Sequence, residues 1–187
     1  MIAELSAFAA ALALALSLAQ GVLGLTAFAR ASRVAAAAAS AQAAALLCAL
    51  AFAGLIALFV RSDFSVAVVV ANSHTDKPLI YKIAGAWGNH EGSMLLWCLV
   101  STLFGAVLAS TRGRQDQGIW SKAIGVQGLV TAGALLYTLV LSNPFARLDP
   151  APFQGAGLNP LLQDPALAAH PPLLYLGYVG MSVPFSL

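Results

Sequence analysis

Histidine is scarce in this chain, and two of its three copies stand in clusters with the makings of a chemical site. The first cluster is Trp87-Gly88-Asn89-His90-Glu91-Gly92-Ser93, running into Met94-Leu95-Leu96-Trp97. It crowds an imidazole, a carboxylate and an indole between two glycines. The second is Ala169-His170-Pro171-Pro172-Leu173-Leu174-Tyr175-Leu176-Gly177-Tyr178. Imidazole changes charge near neutral pH and binds metals when neutral, so metal ligation or proton transfer is the chemistry on offer. Both clusters also have plain structural readings. Asn89 caps a helix, Glu91 complements its positive end, and Trp87 and Trp97 form an aromatic belt. Proline favours the first helical position and drives the residue before it out of helical geometry. His170 is thus expected as the N-cap of a helix. The positive helix end would disfavour imidazolium and leave a ring nitrogen free for a metal. An interfacial histidine with no ligand remains open at this point. Tyr175 and Tyr178 read as packing residues, and His74 as a solvated turn residue.

The elements that carry these clusters are apolar helices. Hydrophobic residues make up 60% of the chain and charged residues only 9%. A soluble domain carries about 25% charged residues. The shortfall leaves too little polar surface for water, so lipid must cover much of the chain. Apolar segments run over about 5–29, 34–60, 92–110 and 120–142. A fifth starts near 171 and is still apolar at Leu187. About 20 residues cross a bilayer, so four spans are complete and the fifth is expected to be cut off. The expected fold is all-α: a polytopic membrane helix bundle, residues 1–187 being the N-terminal part of one membrane domain. No cleaved signal peptide is expected, because Glu4 precedes an apolar run too long for one.

Two long connections, 61–91 and 143–170, hold both clusters. The branched run 66–70 is expected to be extended or interfacial. Pro144, Pro150, Pro152, Pro160 and Pro165 forbid a long helix in the second loop. Its apolar Phe145, Phe153, Leu158, Leu161 and Leu162 suggest a packed lid. Within the spans, Ala35–Ala39, Gly54, Gly125, Gly128 and Gly133 suggest close helix packing. Cys48 and Cys98 lie in apolar segments with no CxxC spacing and read as buried thiols.

Arg30, Arg33, Arg112, Arg114 and Lys122 flank the first and third connections, opposed by Asp116. The other end carries Arg61, Lys77, Lys82 and Arg147 against Glu4, Asp63, Asp76, Glu91, Asp149 and Asp164. The positive-inside bias therefore puts the N-terminus and both long loops outside. No basic run suits nucleic acid, and no phosphate loop, HExxH, GxSxG or EF-hand occurs. On residues alone, a transporter or proton-conducting subunit using His90, Glu91 and His170 as relays is a rival reading. So is a non-catalytic scaffold. Transport is disfavoured because the clusters stand at span ends.

The blocks Ala71-Asn-Ser73, Pro78 to Trp97, Ser142-Asn-Pro-Phe145, Gly157 to Pro165 and His170 to Tyr178 closely resemble the CcmF-type family. That family is the haem lyase subunit of the bacterial multi-component cytochrome c maturation pathway. A related lyase for nitrite reductase assembly shares the blocks. The resemblance implies a multi-span inner-membrane protein working at the periplasmic face. It implies haem taken from a periplasmic haem chaperone and attached to apocytochrome c, beside other maturation subunits in the membrane. Haem enters as substrate and as a structural b-type cofactor. The first of two periplasmic haem-ligating histidines in the family matches His170, with His90, Glu91 and Trp87 as weaker neighbours of the haem. The family's tryptophan-rich segment, second periplasmic histidine and membrane-embedded ligands would lie beyond Leu187, which puts independent activity in doubt. Arg61, Lys77, Lys82 and Arg147 are candidate partners for haem propionates.

Overall fold

A computed structural model of the chain describes residues 1–27, 30–111, 117–157, 159 and 163–187. Among them are eight helices: α1 (Ile2–Leu25), α2 (Ala31–Val60), α3 (Ala67–Asn72), α4 (Leu79–Gly85), α5 (His90–Ser110), α6 (Gln117–Leu141), α7 (Pro165–Gly180) and α8 (Ser182–Ser186). Four of these, α1, α2, α5 and α6, are long and apolar enough to cross a membrane. In lipid a backbone must satisfy its own polar groups, and a helix does so within one segment.

The four spans form a square. Helix α1 packs on α2 and α6, while α5 packs on the same two neighbours. Short α7 lies against α5, and α8 against α6 and α5. Small residues set the spacing where α1 meets α6. A Cβ on Gly24 would stand 2.6 Å from the Gly125 Cα, and one on Gly128 would stand 2.8 Å from the Gly21 nitrogen. Backbone touches backbone there, as small residues permit in membranes. Gly133 behaves differently, since a Cβ there would meet nothing within 4 Å. The expectation of packing is thus met at Gly125 and Gly128 and corrected at Gly133, which faces open space.

Buried side chains gather at both ends of the square. One group joins Leu55, Leu58, Phe59, Val66, Val69 and Leu95. The other joins Val34, Leu108, Trp120 and Ile124. Trp120 Nε1 donates to the Leu108 carbonyl at 3.0 Å and ties α6 to the last turn of α5. Cys48 and Cys98 are buried free thiols, as expected.

The two long connections clasp one another at one end of the bundle. Val66 and Arg147 form an isolated antiparallel bridge. Ala67 N donates to Ala146 O at 2.9 Å, and Leu148 N to Ser65 O at 2.9 Å. Further on, Ala156 N reaches Val70 O at 2.7 Å and Gly157 N reaches Ser73 O at 3.1 Å. Gly157 holds φ at 90° there, a conformation that favours glycine. The branched run is therefore not extended throughout. Only Val66 is, and 67–72 winds into α3: past Ala67 N, which still crosses to Ala146 O, the Val69 and Val70 N–H groups turn back to Val66 O.

The lid expectation holds in part. Phe145 is buried, but Phe153 is fully exposed at 101%. The clasp is made by backbone groups, so it needs no apolar side chain at 153. Leu158, Pro160, Leu161 and Leu162 lie outside the described residues, as do Arg112, Arg114 and Asp116.

Candidate functional site

The first cluster sits where α4 turns into α5. Asn89 caps α5 as expected: its Oδ1 accepts from Gly92 N at 2.7 Å, and its Nδ2 donates to Gly85 O at 2.6 Å. Replacing Asn89 by alanine should cost about 1 kcal/mol of stability. A thermal melt of the purified protein checks this, and an unchanged midpoint would contradict the capping role.

His90 is the first residue of α5 and projects toward α6. Its Nε2 lies 2.8 Å from Ser142 Oγ, and its ring meets Tyr137 edge-on at 6.4 Å. Ser142 was not among the residues the sequence singles out; its one local signal is the Ser-Asn-Pro-Phe block. Glu91 is partly exposed and makes no hydrogen bond or ion pair among the described residues. Trp87 is not a free belt residue. It stacks on Phe52 at 6.4 Å, and its Nε1 donates to Ala168 O at 2.8 Å. Trp97 packs instead against Tyr175 and Tyr178, at 5.9 and 5.7 Å.

The second cluster corrects the sequence reading. His170 is not the N-cap of its helix. Helix α7 begins five residues earlier, at Pro165, capped by Asp164, whose carboxylate accepts from Ala166 N and Leu167 N at 2.9 and 3.0 Å. Asp followed by Pro is the same cap-plus-first-residue signature, and here it wins over His-Pro because the helix absorbs Pro171 and Pro172 in its interior. The positive-end argument for a neutral His170 lapses with this, since the dipole effect is confined to the first turn. What survives is position. His170 is exposed, and its ring makes no hydrogen bond among the described residues. At three, four and seven residues further on, Leu173, Leu174 and Gly177 share its face, and all three are exposed. An open ring nitrogen above an apolar strip fits a flat apolar group ligated through iron. Among the described residues no group of three or more His, Cys, Asp or Glu gathers to hold a bare metal ion.

The basic residues separate into two kinds. Arg147 is occupied: its guanidinium bonds Glu4 Oε1 at 2.6 and 2.8 Å, lies 3.6 Å from Asp63 and also donates to Ser65. This cluster pins the N-terminal end of α1 to both connections. Lys77 and Lys82 have no carboxylate partner among the described residues; they donate to Asn72 O and Ser62 Oγ, each at 2.9 Å. Burial, and then the neighbouring Lys82 charge, brings the Lys77 ammonium down to about 8. Arg61 is exposed. His74 is partly exposed beside Asp76, 3.5 Å away, in keeping with a turn residue.

A polar network inside the bundle also escaped the sequence reading. Gln127 Nε2 reaches Ser101 O and Ser182 Oγ at 3.2 and 3.1 Å, and Gln127 Oε1 accepts from Ser186 at 3.1 Å. A glutamine in an apolar span was the available signal. The network fastens α8 to α5 and α6. Beside it, Trp97, Val130, Tyr178 and Phe185 help line an open groove of about 380 Å³.

The fold is that of a multi-pass helical membrane protein, with histidine-bearing clusters at one end of its bundle. The family model for cytochrome C assembly protein matches residues 87–187, from Trp87 through α7 and α8, and the chain belongs to that family. The chain is 50% identical to the cytochrome c-type biogenesis protein ccl1 of Rhodobacter capsulatus, covering 100% of this chain and 29% of that protein. It is 50% identical to CycK of Rhizobium meliloti, over 100% of this chain and 28% of the relative. Its fold matches a solved cytochrome c heme lyase CcmF with a TM-score of 0.83 at 29% identity, over 100% of this chain and 29% of that one. The chain thus spans less than a third of the length of these relatives.

Proposed function

We propose that this chain works in cytochrome c maturation as part of a haem-handling membrane protein, and that His170 is an axial ligand for haem at the outer end of the bundle. One observation carries the ligand assignment: His170 stands exposed, its ring unengaged by other described residues, on the apolar outer face of α7. His90 is a weaker candidate because Ser142 already holds its Nε2. Trp87 is likewise engaged, through Ala168. The end carrying the clasped connections is the periplasmic face of the inner membrane in this reading, supported by the cationic flanks of the opposite end.

Haem supplies vinyl groups that take up the two thiols of an apocytochrome as thioethers. The chain's own contribution is placement. Ligation by His170 would hold haem at that end of the bundle, and keeping the reacting carbon and sulfur in contact would supply much of the rate. Arg61, Lys77 and Lys82 are the cations available to propionates. Arg147 leaves that set, because Glu4 and Asp63 hold it. The haem chaperone, the apocytochrome and companion maturation subunits are the partners this function requires.

The test is a chimera. Residues 1–187 replace the matching segment of the Rhodobacter capsulatus relative in a strain lacking it. Restored haem-stained c-type cytochromes are expected. A chimera that reaches the membrane and yields none would overturn the proposal.

A further inference from the structure

The proline pair inside α7 removes two backbone donors at a known place. In regular helix geometry the N–H of residue i bonds the carbonyl of residue i−4. Pro171 and Pro172 have no N–H, so the carbonyls of Leu167 and Ala168 lose their helical partners. Each proline ring also crowds that same carbonyl and turns it outward. Carbonyls freed in this way are met by neighbouring elements, side chains or water. Ala168 O is answered: the Trp87 indole donates to it at 2.8 Å. Ala168 is the buried residue of its turn, while Leu167 and His170 are exposed. The donor comes from the turn between α4 and α5, itself held by the Asn89 cap.

We infer that Trp87 is the positioning residue for His170: its indole N–H stands in for the backbone N–H that Pro172 lacks, and so fixes the turn of α7 from which the histidine projects. His170 follows Ala168 by two residues, so the two lie on one helical turn, about 200° apart around the axis, with Ala168 buried and His170 exposed. The bond therefore orients the histidine without touching what it binds. A phenyl ring at 87 would still be an aromatic neighbour for Phe52 but would bring no N–H to the Ala168 carbonyl. The consequence for haem rests on the ligand assignment above; the substitution of one donor for another does not.

The test uses the chimera in four forms: unaltered, Trp87→Phe, Pro172→Ala, and the two together. Two readouts separate the claims. Amide hydrogen exchange over 164–173 reports the turn itself. The visible spectrum of ferric haem reports the ligand. Trp87→Phe should speed exchange in that segment by about tenfold and convert low-spin haem to high-spin. Pro172→Ala restores a backbone donor to Ala168 O, so the double variant should regain slow exchange and the low-spin spectrum. Unchanged exchange in Trp87→Phe, or a double variant no better than the single one, would overturn the inference. Should the phenyl variant fail to fold, benzothienylalanine at 87 keeps the fused ring and removes only the N–H, and the same outcomes decide. If His170→Ala leaves the haem spectrum untouched, the ligand assignment falls while the exchange series still judges Trp87.

Discussion

Replacing Gly125 by leucine is expected to unseat α1 from α6 and to lower membrane levels of the protein severely. A Cβ at 125 would stand 2.7 Å from Leu25 N, and a Cβ at Gly24 would stand 2.7 Å from Ser121 O. Those neighbours are backbone atoms in helices, and no rotamer change moves them aside. The helices must separate, and overpacking of this kind costs about 1–3 kcal/mol or more. Separation also stretches the buried bond from Gln20 Nε2 to Ile124 O, 2.9 Å long, worth about another 1 kcal/mol. A thermal melt of the purified chimera measures the loss. Gly133→Leu is the control. Nothing stands within 4 Å of a Cβ there, so its midpoint should stay put. Equal damage from both substitutions would show that leucine harms this helix for reasons other than the α1 contact.

His170→Ala is expected to reverse that pattern: an intact fold and little product. The side chain is exposed and makes no hydrogen bond among the described residues, and substitutions at such sites usually stay within about 0.5 kcal/mol. Maturation of c-type cytochromes should fall at least tenfold, on the order of 1.4 kcal/mol or more if read as transition-state stabilisation. Haem staining of membranes, normalised to chimera level, is the measurement. Normal staining at normal level would leave His170 with no role in the reaction.

The spans were legible because lipid imposes length and apolarity on any crossing segment. The sequence segments 5–29, 34–60, 92–110 and 120–142 fall within a few residues of α1, α2, α5 and α6. The start of α7 was not legible from the proline rule alone. Both Asp164-Pro165 and His170-Pro171 put proline at the first helical position, and capping preference favours the aspartate; what hides the earlier start is the Pro171-Pro172 pair, which is expected to break a helix begun at Pro165. The donor that meets the Ala168 carbonyl beside those prolines comes from Trp87, about eighty residues upstream, where no local pattern announces it. Likewise, Gly125 and Gly133 look alike in sequence, and only the facing helix tells them apart. The clasp of the two connections rests on backbone groups of residues such as Val70 and Ala156, whose side chains give no sign of it. Arg147 read as a free cation because its partner Glu4 lies at the far end of the chain. Within the site, His170 was legible as a candidate from its cluster and its family resemblance. Its place in the helix was not.

Haem handling by this chain rests on His170 reaching haem iron. The most direct measurement is the ferric spectrum of the purified chimera carrying His170→Gly, recorded before and after adding imidazole. The low-spin spectrum is expected to be lost in the glycine variant and to return when free imidazole fills the gap. A spectrum unchanged by the substitution, and indifferent to imidazole, would contradict it.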